Sequence, residues 1–226
     1  MISGIVFDMD GILFDTENLA VEAWAHAGAQ LGVEIPRDLV LSFIGRVMPD
    51  VRSRFDERFT DVPGFDFDTA RRLFRAHIDD SIAQHGIPLK PGLHDTLAAL
   101  SGRGLRIALA TSTERTKAEH HLELAGIRAY FETCVCGDQV AHGKPAPDIY
   151  LEACRRLALP PEDCMTVEDS FAGVRAAHAA GTRTVMIPDL LQPDEELRPH
   201  CHAILPSLHE VIALLERRPS AEMIFN

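Results

Sequence analysis

Short apolar runs alternate with longer amphipathic segments in the second half of the chain. The apolar runs lie at residues 105–111, 133–136, 164–167 and 184–187, and a segment with helical periodicity separates each run from the next. Short apolar runs are typical of buried strands, and alternation of strand and helix is typical of parallel sheets. The pattern therefore predicts an α/β fold in which a parallel sheet carries helices on both faces.

Residues 15–88 follow a different pattern. Their apolar positions have helical spacing, and no stretch within them has the character of a strand. Pro88 and Gly92 mark the end of this region, after which strands and helices alternate again. We therefore predict a core domain formed by residues 1–14 and 89–226, interrupted by a helical domain at residues 15–88.

Composition and charge narrow the class of protein. The chain has 226 residues, and 46% of them are hydrophobic, which suffices for a packed interior. A formal net charge of −12 argues against binding to nucleic acid or to an acidic membrane surface. We find neither a signal-peptide pattern nor an apolar run of about 18 residues that would span a membrane. The five cysteines do not have the pattern of a disulfide framework, and we expect a cytoplasmic protein that is a monomer or a weak homo-oligomer.

Two aspartates follow the first apolar run of the chain. Residues 5–7 have the character of a buried strand, and Asp8 and Asp10 come directly after it, followed by Gly11. The two side chains share one side of an extended chain, so their carboxylates lie close together. At a separation of about 4 Å their repulsion is roughly 4 kcal/mol. Either one carboxylate is protonated or a divalent cation lies between them, unless the aspartates only close a turn through their own hydrogen bonds.

Polar residues with affinity for anions follow two further apolar runs. Thr111, Ser112 and Thr113 end the run that begins at Leu105 and precede a predicted helix. Hydroxyl groups at the N-terminus of a helix either cap it or help to bind an anion. Lys144 lies in the sequence GKPAPD, where the prolines stiffen the chain and direct the ammonium group. A phosphate or a carboxylate is the partner that suits such a lysine.

A second pair of carboxylates ends the apolar run at residues 164–167. Glu168 and Asp169 follow that run and precede another helix, as Asp8 and Asp10 follow the first strand. Carboxylate oxygens of the three aspartates, with water and substrate oxygens, would form the octahedral ligand set that Mg²⁺ prefers. The alternative is that Asp169 only caps the helix after it.

Taken in order, these four polar clusters resemble the motifs of the haloacid dehalogenase superfamily of phosphohydrolases. The resemblance spans nearly the whole chain and implies a Rossmann-like, doubly wound parallel sheet. It also implies that residues 15–88 are an α-helical cap, as in the branch that contains β-phosphoglucomutase and many small sugar-phosphate phosphatases. The matching clusters are DMDG with Asp8 and Asp10, LRIALAT with Thr111, GKPAPD with Lys144, and VEDS with Glu168 and Asp169.

The resemblance implies a phosphatase that acts on a small-molecule phosphate ester. In such an enzyme Asp8 attacks phosphorus and forms an aspartyl-phosphate, which water then hydrolyses. Asp10 serves first as a general acid and then as a general base. Thr111, Ser112 and Lys144 are the residues that the resemblance assigns to binding the phosphate.

Mg²⁺ is the cofactor that the resemblance implies. Asp8, Asp169 and the backbone carbonyl of Asp10 are the ligands expected by analogy with the family, and Glu168 is expected to lie outside the ligand set. The aspartate at position 10 also favours an oxygen ester as the substrate, since dehalogenases and phosphonoacetaldehyde hydrolases of the superfamily lack an acid there.

Two alternatives to a phosphatase stay open. A mutase of the β-phosphoglucomutase type carries a histidine five residues after the aspartate that matches Asp15, whereas this chain has Ala20 there. The phosphate-binding arginine of the mutase cap is also poorly matched, because Arg46 and Arg52 have shifted positions. These departures favour a phosphatase. The second alternative is a non-catalytic binding protein with the same fold, but such a protein would be expected to lose residues such as Asp8, which are costly to bury without a ligand.

A few residues of the helical regions carry further predictions. Trp24 fits the apolar stripe of a helix and is predicted to pack inside the inserted domain. His120 and His121 are predicted to be solvated. One arginine of the insertion is a candidate contact for a second anionic group of the substrate, but the sequence does not show which one. The candidates are Arg46, Arg52, Arg54 and Arg58.

Overall fold

The sheet predicted from the alternating pattern is present. The computed structural model describes residues 2–43 and 48–216, and in this part of the chain six strands form one parallel sheet in the order β3-β2-β1-β4-β5-β6. Because the chain extends the sheet from β1 in both directions, the prediction of a doubly wound α/β fold is confirmed. The strands are β1 (Gly4–Phe7), β2 (Arg106–Thr111), β3 (Thr133–Cys136), β4 (Cys164–Glu168), β5 (Arg183–Met186) and β6 (Ala203–Ile204).

The helices fall into two groups along the chain. In the described part of the chain, five α-helices lie between β1 and β2, four of them before the chain rejoins the sheet and the fifth after it, and four more follow β2. Among the described residues, no helix is both long enough and apolar enough to cross a membrane. The helices are α1 (Thr16–Gln30), α2 (Arg37–Leu41), α3 (Met48–Arg58), α4 (Phe67–His85), α5 (Leu93–Gly102), α6 (Arg115–Leu124), α7 (Asp148–Arg156), α8 (Phe171–Ala179) and α9 (His209–Glu216).

Successive residues of β1 pack against helices on opposite faces of the sheet. Ile5 and Phe7 belong to the cluster that contains Leu97 of α5. Val6 belongs to the cluster on the other face, which contains Tyr150 of α7. Since side chains alternate along a strand, a strand buried on both faces must be apolar throughout. This burial explains why the first polar residue, Asp8, marks the end of the strand.

Helices α1 to α4 have a hydrophobic core of their own. Trp24 is 3% exposed, and the centre of its ring lies 4.6 Å from that of Phe55 and 4.4 Å from that of Phe74. The prediction that Trp24 packs inside this region is confirmed. Within the described ranges, this core shares no buried residue with the clusters that pack against the sheet.

The two connections between the sheet and helices α1 to α4 run side by side. Phe14 and Leu89 form an antiparallel bridge. The backbone N–H of Asp15 donates to the carbonyl of Pro88 at 2.9 Å, and the N–H of Lys90 donates to the carbonyl of Leu13 at 2.9 Å. The insertion therefore leaves and rejoins the sheet at one place, beside the carboxyl end of β1.

Candidate active site

The carboxyl ends of β1 and β4 bring most of the predicted charged residues together. Asp8 follows β1, Glu168 ends β4, and Asp169 comes next. Lys144, from the loop before α7, reaches between them: its Nζ lies 2.7 Å from Oδ1 of Asp8 and 2.6 Å from Oε1 of Glu168. The strands are hydrogen-bonded neighbours, so the sheet itself fixes the separation of the two carboxylates.

The ammonium group of Lys144 is almost fully buried. Its side chain is 6% exposed, and it also donates to the carbonyl of Ala110 at 3.3 Å. Burial by itself lowers the pKa of Lys144, but the carboxylates of Asp8 and Glu168 outweigh it and the net shift is upward. The lysine is therefore charged and fixed, as its place directly before Pro145 and Pro147 predicts.

The carboxylate of Glu168 is hydrogen-bonded on both oxygens. Oε1 accepts from Lys144 and from the hydroxyl of Tyr150 at 2.5 Å. Oε2 accepts from the backbone N–H of Asp169 and from the N–H and hydroxyl of Ser170, each at 3.0 Å. Gly173 makes room for this arrangement, since a Cβ there would lie 1.7 Å from Oε1. Glu168 thus holds the lysine and the start of α8 in place.

Asp169 has a buried carboxylate without a donor. Its residue is 9% exposed, and in the described part of the chain no side chain or backbone group donates to it. Burial, with the nearby charges of Glu168 and Asp8, raises its pKa well above the usual range. A carboxylate in this state is stabilised either by a proton or by a cation.

A cation fits the oxygens of this cluster. Carboxylate oxygens of Asp8, Glu168 and Asp169 all lie within 4.8 Å of one another. Burial is the main cause that raises the pKa of Asp8 to about 7. The positive charge of Lys144 opposes this shift, whereas the negative charges of Glu168 and Asp10 add to it. One buried ammonium thus faces three buried carboxylates. A hard divalent ion such as Mg²⁺, which prefers carboxylate oxygens, suits Asp8 and Asp169, because the oxygens of Glu168 are already engaged.

Asp10 is held apart from this cluster by two hydroxyl groups. Oδ1 accepts from Oγ1 of Thr16 at 2.8 Å, and Oδ2 accepts from Oγ1 of Thr113 at 2.9 Å. Thr16 is the first residue of α1, whereas Thr113 follows β2. The side chain of Asp10 is therefore oriented by the insertion and by the sheet together.

The hydroxyl residues after β2 differ in exposure. Thr111 is 1% exposed, and its Oγ1 accepts from the backbone N–H of Thr113 at 3.1 Å. Ser112 is exposed, and its side chain makes no hydrogen bond within the described ranges. Both residues lie at the edge of the sheet that carries Asp8, where the sequence places them.

A cavity of about 320 Å³ opens beside Asp169, between the insertion and the sheet. Glu17 lines this cavity. Burial of its carboxyl group raises the pKa of Glu17 to about 7, and the negative charges of Asp10 and Asp189 act in the same direction. The cavity therefore combines an apolar wall with a small number of polar groups, as ligand sites do. The lining residues are Glu17, Leu41 and Ser42 from the insertion, and Pro145, Asp169, Ser170, Phe171, Ala172, Arg175, Leu190 and Leu191 from the rest of the chain.

The structure distinguishes the arginines of the insertion. Arg52 forms an ion pair with Asp68 and lies over the ring of Phe67. Arg54 is half-buried, and its Nη1 donates to Oγ of Ser42, a residue that lines the cavity, at 3.3 Å. No carboxylate of the described residues pairs with Arg54. Arg58 lies over the ring of Phe59, and Arg46 lies outside the described residues.

The prediction that His121 is solvated is wrong. His121 is 4% exposed, and its ring meets that of Phe14 edge-on at 5.9 Å. Burial lowers its pKa, which keeps the ring neutral near neutral pH. The reason is that α6 packs this histidine over the connection between β1 and α1, a contact that helical spacing alone does not reveal. His120 is exposed, as predicted.

Tyr150, Thr16 and Glu17 contact the site, although sequence analysis did not single them out. Tyr150 lies on the buried face of α7, where an aromatic residue usually only fills space. Thr16 and Glu17 begin a helix and have the composition of an ordinary first turn. Thr16 and Glu17 follow Asp10 by only six and seven residues, and this closeness in sequence is the one signal that would have indicated these two residues.

Comparisons with known proteins agree with this arrangement. The family model described as haloacid dehalogenase-like hydrolase matches residues 2–181. A phosphorylated carbohydrates phosphatase of Thermotoga maritima is 30% identical over 194 residues, which are 80% of this chain and 82% of the relative. The protein SUPPRESSOR OF QUENCHING 1, chloroplastic, of Arabidopsis thaliana is 34% identical over 84% of this chain, but the match covers only 18% of that longer relative.

Two solved structures share the fold over almost their full length. CbbY from Rhodobacter sphaeroides, in complex with xylulose-(1,5)bisphosphate, has a TM-score of 0.72 at 31% identity, with 93% of this chain and 96% of that chain covered. A Thermotoga maritima protein named as a candidate beta-phosphoglucomutase has a TM-score of 0.80 at 28% identity, with 95% and 99% covered.

Replacing Gly11 by alanine is expected to destabilise the site through a collision with Asp169. Gly11 has a φ of 79°, and a Cβ there would lie 2.2 Å from Oδ2 of Asp169. Gly32 is the matched control, because its φ is 69° and nothing lies within 4 Å of its Cβ position. Gly32→Ala should lower the free energy of unfolding by about 1–2 kcal/mol through backbone strain alone. Gly11→Ala should cost about 1–3 kcal/mol more.

Urea denaturation followed by circular dichroism measures the difference. Equal losses in the two variants would show that Asp169 moves aside freely, and that Gly11 does not position it.

Proposed function

The chain belongs to the haloacid dehalogenase-like hydrolases, and on that basis we propose that it is a Mg²⁺-dependent phosphatase of small phosphate monoesters such as sugar phosphates. The observation that carries the proposal is the pairing of Asp8 with buried Lys144 beside Asp169, at the carboxyl ends of adjacent strands. A nucleophile, a fixed cation and a site for a metal ion are the components that phosphoryl transfer requires.

Asp8 is the proposed nucleophile. Lys144 binds Oδ1 of Asp8, and Oδ2 accepts no hydrogen bond from the described residues. In the first step Oδ2 forms a bond to phosphorus while the bond from phosphorus to the ester oxygen breaks, which leaves an aspartyl-phosphate and an alcohol. In the second step water attacks phosphorus, and the products are inorganic phosphate and free Asp8.

Asp10 is the proposed general acid and base. Its protonated carboxyl group gives a proton to the departing ester oxygen, and the resulting carboxylate then takes a proton from the attacking water. The hydroxyl groups of Thr16 and Thr113 orient both oxygens of Asp10. Since Thr16 begins α1, this orientation depends on the position of the insertion.

The remaining polar residues have proposed roles in binding the metal ion and the phosphate group. Asp8, Asp169 and the backbone carbonyl of Asp10 would hold Mg²⁺, which when bound supplies positive charge beside the phosphoryl oxygens. Lys144 would neutralise charge on a phosphoryl oxygen, and Thr111 and Ser112 are the proposed hydrogen-bond donors to the phosphate. Glu168 lies outside the proposed ligand set, because its oxygens already accept from five donors.

We propose that residues 15–88 form a cap over a core of residues 1–14 and 89–226. The cavity supports this division, since Glu17, Leu41 and Ser42 face Asp169 across it. A cap excludes water from the nucleophile and contacts the part of the substrate that departs. We further propose that the protein acts in the cytoplasm as a monomer or weak homo-oligomer, without a nucleic acid or membrane partner, in keeping with its net charge of −12.

A phosphosugar mutase is the alternative that the comparison with β-phosphoglucomutase-like structures keeps open. A mutase must protect its phosphoenzyme from water until a bisphosphate has turned around in the site. Ala20 offers neither a hydrogen bond nor a proton at the position where the mutases have a histidine, so water should react with the phosphoenzyme first. This residue favours the phosphatase.

The purified protein is expected to release inorganic phosphate from sugar phosphates only when Mg²⁺ is present. A phosphorus NMR time course with β-glucose 1-phosphate and a trace of glucose 1,6-bisphosphate separates the two reactions. Free phosphate should accumulate faster than glucose 6-phosphate, and EDTA in excess should abolish the signal.

Each contrary outcome has a distinct meaning. Faster formation of glucose 6-phosphate would identify a mutase. Full activity in EDTA, with magnesium shown to be absent by elemental analysis, would contradict the metal role. Failure to process any member of a broad panel of phosphate esters would favour a binding protein instead.

Asp8→Asn and Asp10→Asn should fail at different steps. Asp8→Asn removes the nucleophile, so no phosphorylated protein should form. Asp10→Asn retains the nucleophile and should still become phosphorylated, but its turnover should fall about 10²- to 10⁴-fold for want of an acid and base. Rapid-quench labelling with radioactive substrate measures both. Labelling of Asp8→Asn to the level of the wild type would show that the nucleophile is misassigned.

Arg54→Gln is expected to reduce the preference for substrates with a second anionic group. Arg54 lacks a carboxylate partner and reaches Ser42 at the cavity wall, so a second phosphate group, such as that of the bisphosphate bound to CbbY, is its proposed partner. The ratio of kcat/KM for a ketose bisphosphate to that for the matching monophosphate should fall about 10- to 100-fold.

Arg52→Gln is the matched control on the same helix, because Arg52 already pairs with Asp68. If the ratio of kcat/KM for the bisphosphate to that for the monophosphate is equal in the two variants, Arg54 has no role in specificity.

A further inference from the structure

Lys90 joins three separate segments of the chain. Its Nζ donates to Oδ1 of Asp15 at 3.1 Å and to Oδ1 of Asp189 at 2.7 Å. Asp15 precedes α1, Lys90 lies in the returning connection, and Asp189 lies in the loop after β5. The lysine side chain is 17% exposed and that of Asp189 is 8% exposed, whereas that of Asp15 is 33% exposed, so the contact with Asp189 is the more buried of the two.

The backbone around Lys90 reinforces these contacts. Phe14 and Leu89 form a bridge between the two connections, and the N–H groups of Asp15 and Lys90 each donate across it. Asp15 and Lys90 are therefore held next to each other before their side chains meet. The ammonium group of Lys90 also binds Asp189, which lies in the loop after β5 and takes no part in the backbone pairing.

Asp189 depends on Lys90 for its charge balance. The side chain of Asp189 is 8% exposed, and its Oδ2 is buried without a hydrogen-bond partner among the described residues. A buried carboxylate is stable only when a cation or several donors face it. The described residues offer Lys90 as that cation, and the pKa of Lys90 is accordingly raised, since Asp189 and Asp15 outweigh the effect of burial.

Both carboxylates lead directly into the walls of the cavity. Two residues after Asp15, Glu17 lines the wall that belongs to the insertion. Directly after Asp189, Leu190 and Leu191 line the opposite wall. The ion pairs of Lys90 thus link two segments of the chain that go on to line the cavity.

We propose that Lys90 is a positioning residue, which sets the spacing of the cavity walls and thereby the affinity for the departing part of the substrate. This inference rests on the proposed phosphatase function. Lys90 does not touch the reacting atoms: Asp8, Lys144 and Asp169 surround the phosphoryl site, and the cavity walls lie beside it. A substrate with a large departing group should therefore depend on Lys90 more than a substrate with a small one.

The test compares a hexose phosphate with acetyl phosphate, whose departing group is too small to span the cavity. In Lys90→Met the ratio of kcat/KM for the hexose phosphate to that for acetyl phosphate should fall about tenfold or more, mainly through a higher KM for the hexose phosphate. Lys90→Arg should restore part of the ratio, because a guanidinium group can still bind both carboxylates. Lys117→Met removes an exposed lysine and serves as the matched control.

A second variant separates positioning from stability. Lys90→Met leaves Asp189 buried and unpaired and is expected to unfold at a lower temperature than the wild type. The double variant Lys90→Met/Asp189→Asn removes the unpaired charge, so it should regain most of the thermal stability while the substrate ratio stays low. The side chain of Asp15 is 33% exposed, so its carboxylate is in contact with water without Lys90.

The outcomes distinguish this inference from the proposed function. A double variant with the substrate ratio of the wild type, or a Lys90→Met protein that loses activity equally on both substrates, would overturn the positioning role and leave the phosphatase intact. A wild-type protein that hydrolyses neither compound, nor any ester of a wider panel, would overturn the proposed function and this inference with it.

Discussion

The excess of buried negative charge at the ends of β1 and β4 governs the structure around it. Asp8, Glu168 and Asp169 lie within reach of one another, and Lys144 is the one described residue that faces them with a buried positive charge. Such an arrangement survives folding only if every remaining oxygen has a donor or a cation. The dense hydrogen bonding of Glu168 and the glycine that makes room for its carboxylate meet this requirement. The oxygens of Asp169 have no donor among the described residues, so they are the ones that a proton or a cation must stabilise.

The insertion is coupled to this charged cluster through a small number of polar contacts. Thr16 binds Asp10, and Glu17 stands on the cavity wall close enough to feel the charge of Asp10. The packed core around Trp24, by contrast, is independent of the sheet. The insertion therefore has a packed interior of its own and meets the residues at the strand ends through polar side chains of its first turn. Its hydrophobic core supplies rigidity, and its first turn supplies the contacts with the reacting groups.

Sequence analysis predicted the sheet and the charged cluster, because both leave local signals. An apolar run that ends abruptly in carboxylates marks a strand end, and parallel strands bring such ends to one edge. The contacts of Tyr150 and Lys90 leave no such signal, since each depends on which distant segment the fold brings near. The error at His121 has the same origin. Helical spacing shows that a residue lies on a given face of α6, but only the tertiary structure shows that this face covers the connection at Phe14.

The paired connections at Phe14 and Leu89 also restrict the geometry of any motion. Two chain crossings that are hydrogen-bonded to each other act as a short ribbon, and a ribbon bends easily about one axis while it resists twisting and sideways displacement. Any movement of the insertion relative to the sheet would therefore favour rotation about that axis. A rotation of this kind would carry Thr16 and Glu17 together relative to the strand ends, because both belong to the first turn of α1.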